Sequence, residues 1–157
     1  MEDKEKEFIK KVNIDKAKNK TSVSILLMII SILTYVVPLM YGEFDFGIVF
    51  EIISLVFLLI ARNYMSKYDE IRSKRYVIFS MAAIGWILIY DIMLLFSYIQ
   101  DIADLALLGY DFYFGEIFSI LYFIILIAIN KDLSKANDST KYKESTDWFY
   151  EKYEEKR

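Results

Sequence analysis

The stretch Tyr76 to Ile99, YVIFSMAAIGWILIYDIMLLFSYI, decides the fold. Its length exceeds the ~20 residues a helix needs to cross a hydrocarbon core. Only one residue in it ionises, Asp91, and it does not stand at an end. An Asp in mid-membrane costs roughly 3 kcal/mol, whereas each Leu, Ile, Phe or Val returns about 0.3–0.6 kcal/mol. The stretch holds 12 of those apolar residues. They oppose the penalty with roughly 5 kcal/mol, so the segment reads as a membrane span carrying a buried acid.

Working outward, the same grammar repeats. The 157 residues are 56% hydrophobic and 17% aromatic, with mean hydropathy +0.31, and the apolar residues fall in long runs separated by charged ones. That is the pattern of a polytopic membrane protein, with no room for a second soluble domain. Spans are expected at about 22–41, 46–62, 76–99 and 113–130, giving an all-α bundle of four transmembrane helices. Polar tails are expected at 1–21 and 131–157. The first apolar run is too long for a signal-peptide core and lacks a small-residue cleavage site, so it is read as an uncleaved span.

In the first tail, Phe8, Ile9 and Val12 would form a weak apolar stripe if the tail is helical; the alternative is a solvated tail that only sets topology. Its lysines suit an anionic lipid surface, each contributing about 1 kcal/mol close to it. In the first span, Ser24, Ser31, Tyr35 and Pro38 recur at spacings that share one face, expected to turn toward other helices. Pro38 is expected to kink or end that helix. Arg62 to Arg75, RNYMSKYDEIRSKR, reads as a basic loop. Gln100 to Phe114 reads as a short interfacial helix followed by the aromatic anchors Tyr110, Phe112, Tyr113 and Phe114. In the second tail, Trp148, Phe149, Tyr150 and Tyr153 lie on a short amphipathic helix and are candidates for a partner or interface contact.

Topology follows from the bases. All 19 Lys and Arg fall in the first tail, the middle loop and the last tail, and the two other connections carry none. The positive-inside rule therefore puts both termini and the middle loop in the cytoplasm of a cell-membrane protein. The two helical hairpins also share a pattern, Glu51-Ile-Ile-Ser54 against Glu116-Ile-Phe-Ser119, as weakly repeated hairpins would.

Three acids, Glu51, Asp91 and Glu116, lie within apolar sequence with no base in the spans to neutralise them. Counted from the outer ends, the two Glu lie roughly 5–9 Å deep and Asp91 roughly 12 Å. They are the candidate proton- or cation-binding residues, with Ser54, Ser119 and Tyr98 as polar partners. The alternative makes Asp91 a protonated hydrogen-bonding group between helices and the Glu pair interfacial. Trp86 and Tyr90 read as lipid-facing or packing residues.

Absence narrows the function. Cys and His are both missing, which removes disulfides, thiol and histidine catalysis, and the usual zinc and haem ligands. No phosphate-binding loop, dinucleotide fingerprint or serine elbow occurs. Neither an enzyme, a metal site, a cofactor nor a nucleic-acid partner is expected. The expected role is a non-catalytic membrane subunit, regulator or interaction partner, in contact with the bilayer and with another membrane protein or its own copy. An immunity or stress-response role would look the same. The rival is a small proton- or cation-coupled transporter working through the acids.

Overall fold

The computed structural model describes the backbone of residues 2–34, 40, 46–98 and 111–137, and the side chains of 6–34, 40, 46–93 and 118–136. Four helices account for nearly all of it: α1 (Glu2–Thr34), α2 (Gly47–Ser66), α3 (Glu70–Tyr98) and α4 (Asp111–Asn137). Each packs on the next in chain order and α4 returns to α1, so the helices form a closed ring of up-and-down neighbours. The stretches Lys6–Thr34, Gly47–Ser66 and Glu70–Met93 are long and apolar enough to cross a membrane.

One buried seam per helix builds the core. In α1 it is Ile9, Asn13, Ala17, Thr21, Ser24, Met28 and Ser31; in α2, Ile48, Glu51, Ser54, Leu58, Ala61 and Met65. Ser73, Val77, Ser80, Ile84 and Ile87 form the seam of α3, and Ser119, Tyr122, Leu126, Ile129 and Leu133 that of α4. Steps of three and four keep each seam on one side of its helix, the geometry of left-handed helix bundles. The seams mix apolar and polar side chains, and many large apolar side chains face outward. Serines and a carboxyl lie inside, while Leu26, Ile30, Leu33, Val56, Ile89, Ile124 and Trp86 are exposed. Among helices surrounded by lipid, small and polar residues belong at the interfaces, because they allow close approach and bond across it.

The polar segments extend the helices beyond the expected span limits. Residues 1–21, read as a tail, are helical from Glu2, and α1 runs through that limit without a break. Ile9 is buried there, Phe8 is exposed, and Val12 is half-buried. Lys10 pairs with Glu70 at 2.7 Å, and Lys20 with Asp132 at 2.6 Å. Glu7 and Lys11 add an ion pair at 2.8 Å, which holds the Glu7 carboxyl below its usual range through its hydrogen bond first and its charge second. Hydropathy marks where a helix leaves lipid; it does not mark where the helix stops.

The same holds at the basic loop expected over 62–75, where only Lys67, Tyr68 and Asp69 are non-helical. The N–H of Tyr68 donates to the Met65 carbonyl at 3.0 Å, and that of Asp69 to the Tyr64 carbonyl at 3.1 Å. This is a Schellman closure of α2, with Tyr68 in the left-handed region at φ 55°. The Asp69 carboxylate then accepts the Arg72 N–H at 3.0 Å, capping α3. Paired carbonyls and a capped N–H let α2 turn directly into α3. Likewise α4 continues to Asn137, past the expected limit at 130, and begins at Asp111, so Phe112, Tyr113 and Phe114 lie on its first turn. The interfacial helix expected at 100–110, Tyr35, Pro38 and the tail aromatics Trp148, Phe149, Tyr150 and Tyr153 lie outside the described residues.

Docking of the N-terminal half of α1 is testable away from the apolar spans. Ile14 is fully buried, and truncating such a side chain costs about 2–4 kcal/mol. Ile14→Ala is expected to lose that much in detergent unfolding, while Phe8→Ala at an exposed position changes stability by less than about 0.5 kcal/mol. Equal, negligible effects would show an undocked tail.

Candidate functional site

Polar contacts recur along the seams, one of them at Glu51. Its side chain is 1% exposed, and one carboxyl oxygen accepts the Ser31 hydroxyl of α1 at 3.2 Å. From α4, fully buried Tyr122 donates its hydroxyl to the Leu27 carbonyl of α1 at 3.3 Å. Ser31 and Glu51 both lie near enough to that hydroxyl to interact with it. Three helices therefore meet at one acid, a serine and a tyrosine. One turn further along, the Ser54 hydroxyl meets that of Ser80 at 2.5 Å and the Ser80 carbonyl at 3.3 Å, joining α2 to α3. Toward the basic end, the Thr21 hydroxyl donates to the Ala17 carbonyl at 2.8 Å and lies 3.6 Å from the Met65 sulfur.

The three candidate acids do not occupy one level. The Ser54–Ser80 contact fixes the register of antiparallel α2 and α3, which sets Glu51 beside Ala83. Asp91 stands eight positions further along α3, about 12 Å at the helical rise. It continues the α3 seam after Ile87 but is only half-buried. On this register Glu51 is enclosed between helices, whereas Asp91 is half-buried and lies further from the α2–α3 turn. Glu116 lies on α4 six positions before Tyr122, about 9 Å along the axis, and its side chain lies outside the described residues.

The expected polar partners also divide. Ser54 is engaged by Ser80 rather than by an acid, Ser119 is buried on the α4 seam, and the Tyr98 side chain lies outside the described residues. At Glu51 the hydroxyl donor is that of Ser31, with the Tyr122 hydroxyl bonded nearby to the Leu27 carbonyl. Ser31 was readable as part of a shared polar face. Tyr122 was missed; its one signal is a step of three from Ser119, which puts the two on the same face. Trp86 and Tyr90 are exposed, as lipid-facing residues would be. Among the described residues, no group of three or more carboxylates is placed to hold a metal ion.

No protein-family model, curated protein or solved structure matches the chain.

Chemically, the node can hold a carboxyl group inside apolar surroundings by giving it a hydroxyl donor on another helix. A double-mutant cycle on Ser31→Ala and Glu51→Met is expected to return a coupling of about 0.6–1.7 kcal/mol in unfolding, the range for interhelical hydrogen bonds in membranes. Asp91→Asn paired with Ser31→Ala should instead add within about 0.3–0.5 kcal/mol. The opposite ranking would place Asp91, and not Glu51, at the centre of the polar interior.

Proposed function

We propose that the chain is a multi-pass protein of the cell membrane with four spans and both termini in the cytoplasm. It acts without catalysis, as a membrane subunit, regulator or interaction partner. The observation that carries this reading is where the polar groups go. Ser31 meets Glu51, Ser54 meets Ser80, and Tyr122 meets Leu27, so each serves to hold one helix to another. What the bundle offers outward is large apolar side chains and, at one end, a collar of lysines and arginines. Such a body is suited to anchoring and presenting. All bases in the described helices gather at the end holding the α2–α3 turn, which is why that end is assigned to the cytoplasm.

A second reading has its own support. The buried carboxyl of Glu51, at a junction of three helices, is the arrangement a proton- or cation-coupled transporter would use, with Glu51 rather than Asp91 as the carrier.

Gentle purification from the native membrane with crosslinking and mass spectrometry separates the two. A stoichiometric foreign partner is the expected result. Recovery of self-crosslinked copies alone, together with proton flux in liposomes that Glu51→Gln abolishes, would replace the first reading with the second. Topology is checked on this cysteine-free chain by Asp104→Cys, which is expected to react with a membrane-impermeant thiol reagent from outside the cell. Reaction only from the cytoplasmic side would overturn the orientation.

A further inference from the structure

The outward face between α2 and α3 carries two adjoining apolar hollows. One, of about 200 Å³, is lined by Phe46, Gly47, Phe50, Trp86, Ile87 and Tyr90. The other, of about 420 Å³, adds Ile53, Phe57, Phe79 and Ala82 and shares Phe50 and Trp86 with the first. Small Ala82 and Ala83 on α3 leave the depression, while Phe57 and Phe79, with ring centres 5.5 Å apart, bound its basic end.

From there an aromatic track leads to charge. Phe57 and Phe79 lie 6.2 and 6.1 Å from the Tyr76 ring, and Tyr76 stacks on Tyr64 at 5.5 Å, only 6° from parallel. Over the Tyr64 ring stand the Arg72 guanidinium at 5.5 Å and the Lys67 ammonium at 5.9 Å. One carboxylate, Asp69, approaches Arg72, with its closest oxygen 3.4 Å from Nε, and its other oxygen caps α3. Trp86 is ten positions from Tyr76 along α3, about 15 Å. That is half of a ~30 Å hydrocarbon core, the depth of one leaflet.

Apolar hollows followed by an aromatic track, together one leaflet long and ending at two cations, suit a chain with an anionic head. We infer that the α2–α3 groove is a binding site for an anionic phospholipid, its acyl chain lying along Phe57, Phe79 and Trp86 and its phosphate at Lys67 and Arg72. The occupant is decided by charge and length together. An acyl chain fills an apolar groove in any membrane, but a zwitterionic headgroup gains little from two cations that an anionic one neutralises. Arg72 supplies a planar donor for phosphate oxygens and Lys67 a mobile point charge. Tyr64 holds both over the groove mouth. The inference rests on the reading that these helices cross a membrane.

Trp86 is itself the probe, since the chain has two tryptophans and Trp148→Phe leaves it as the sole emitter. The full-length protein would be reconstituted in vesicles containing phosphatidylglycerol or phosphatidylcholine brominated deep in the acyl chain, at equal mole fraction. Quenching of Trp86 is expected to favour the anionic lipid by at least about fivefold in apparent affinity, the enrichment that a single cation near a surface provides. That preference should vanish in Lys67→Gln/Arg72→Gln, which leaves the Asp69 cap on the Arg72 backbone intact. Equal quenching by the two lipids would overturn the site.

A control carries the emitter on α4, as Ile124→Trp with Trp86→Phe and Trp148→Phe, at a position exposed away from the groove. Quenching of the control without quenching of Trp86 would show another occupant, such as a second copy, in the groove, and would overturn the lipid site alone. Absence of quenching at both positions would overturn the membrane reading as well.

Discussion

A carboxyl group enclosed by apolar helices must be given a donor, and the Ser31–Glu51 hydrogen bond meets that demand. Much of the architecture answers the same constraint. Ser31 can reach Glu51 only if α1 and α2 run side by side, and Tyr122 can approach them only if α4 closes the ring. The small serines along the seams let the backbones come close enough for short polar side chains to meet. In water, such contacts would compete with solvent at every step. In an apolar surrounding no water competes, although the separated helices also find internal partners, which keeps each contact modest. The bundle is therefore held by many modest contacts at the same faces, with large apolar side chains turned outward, as suits a lipid surrounding.

The class of fold was legible because it depends on run length. Tyr76–Ile99 announces a spanning helix without reference to any neighbour, and the distribution of bases gives the helices a common polarity. The buried faces were partly legible too: Ser24 and Ser31 fall on one side of α1 by arithmetic alone, and both are buried. Boundaries were not, because Asp, Glu, Lys and Asn leave a helix's hydropathy without leaving the helix. Ion pairs from Lys10 to Glu70 and from Lys20 to Asp132 support the polar part of α1, and both partners lie far away in sequence.

The site illustrates the same limit. That Glu51 sits within apolar sequence is visible in the chain; which hydroxyl reaches it is a property of register between helices. Asp91 drew attention because it interrupts the longest apolar run. Yet α3 outreaches its neighbour, and the interruption comes to lie beyond the level at which α2 begins. Tyr122 is hidden for the opposite reason. An aromatic among Phe, Ile and Leu does not stand out until its hydroxyl is seen against the Leu27 carbonyl.

The unbroken run of α1 has a mechanical consequence. The Lys10–Glu70 ion pair and the Ser31–Glu51 hydrogen bond are carried by one rod, about 31 Å apart along its axis. A continuous α-helix has no joint to absorb torsion, and sharp bends need a proline, a bulge or an inserted group. No proline occurs between Lys10 and Ser31. Turning or sliding the rod as a body at its charged end therefore carries the polar junction at the other with it.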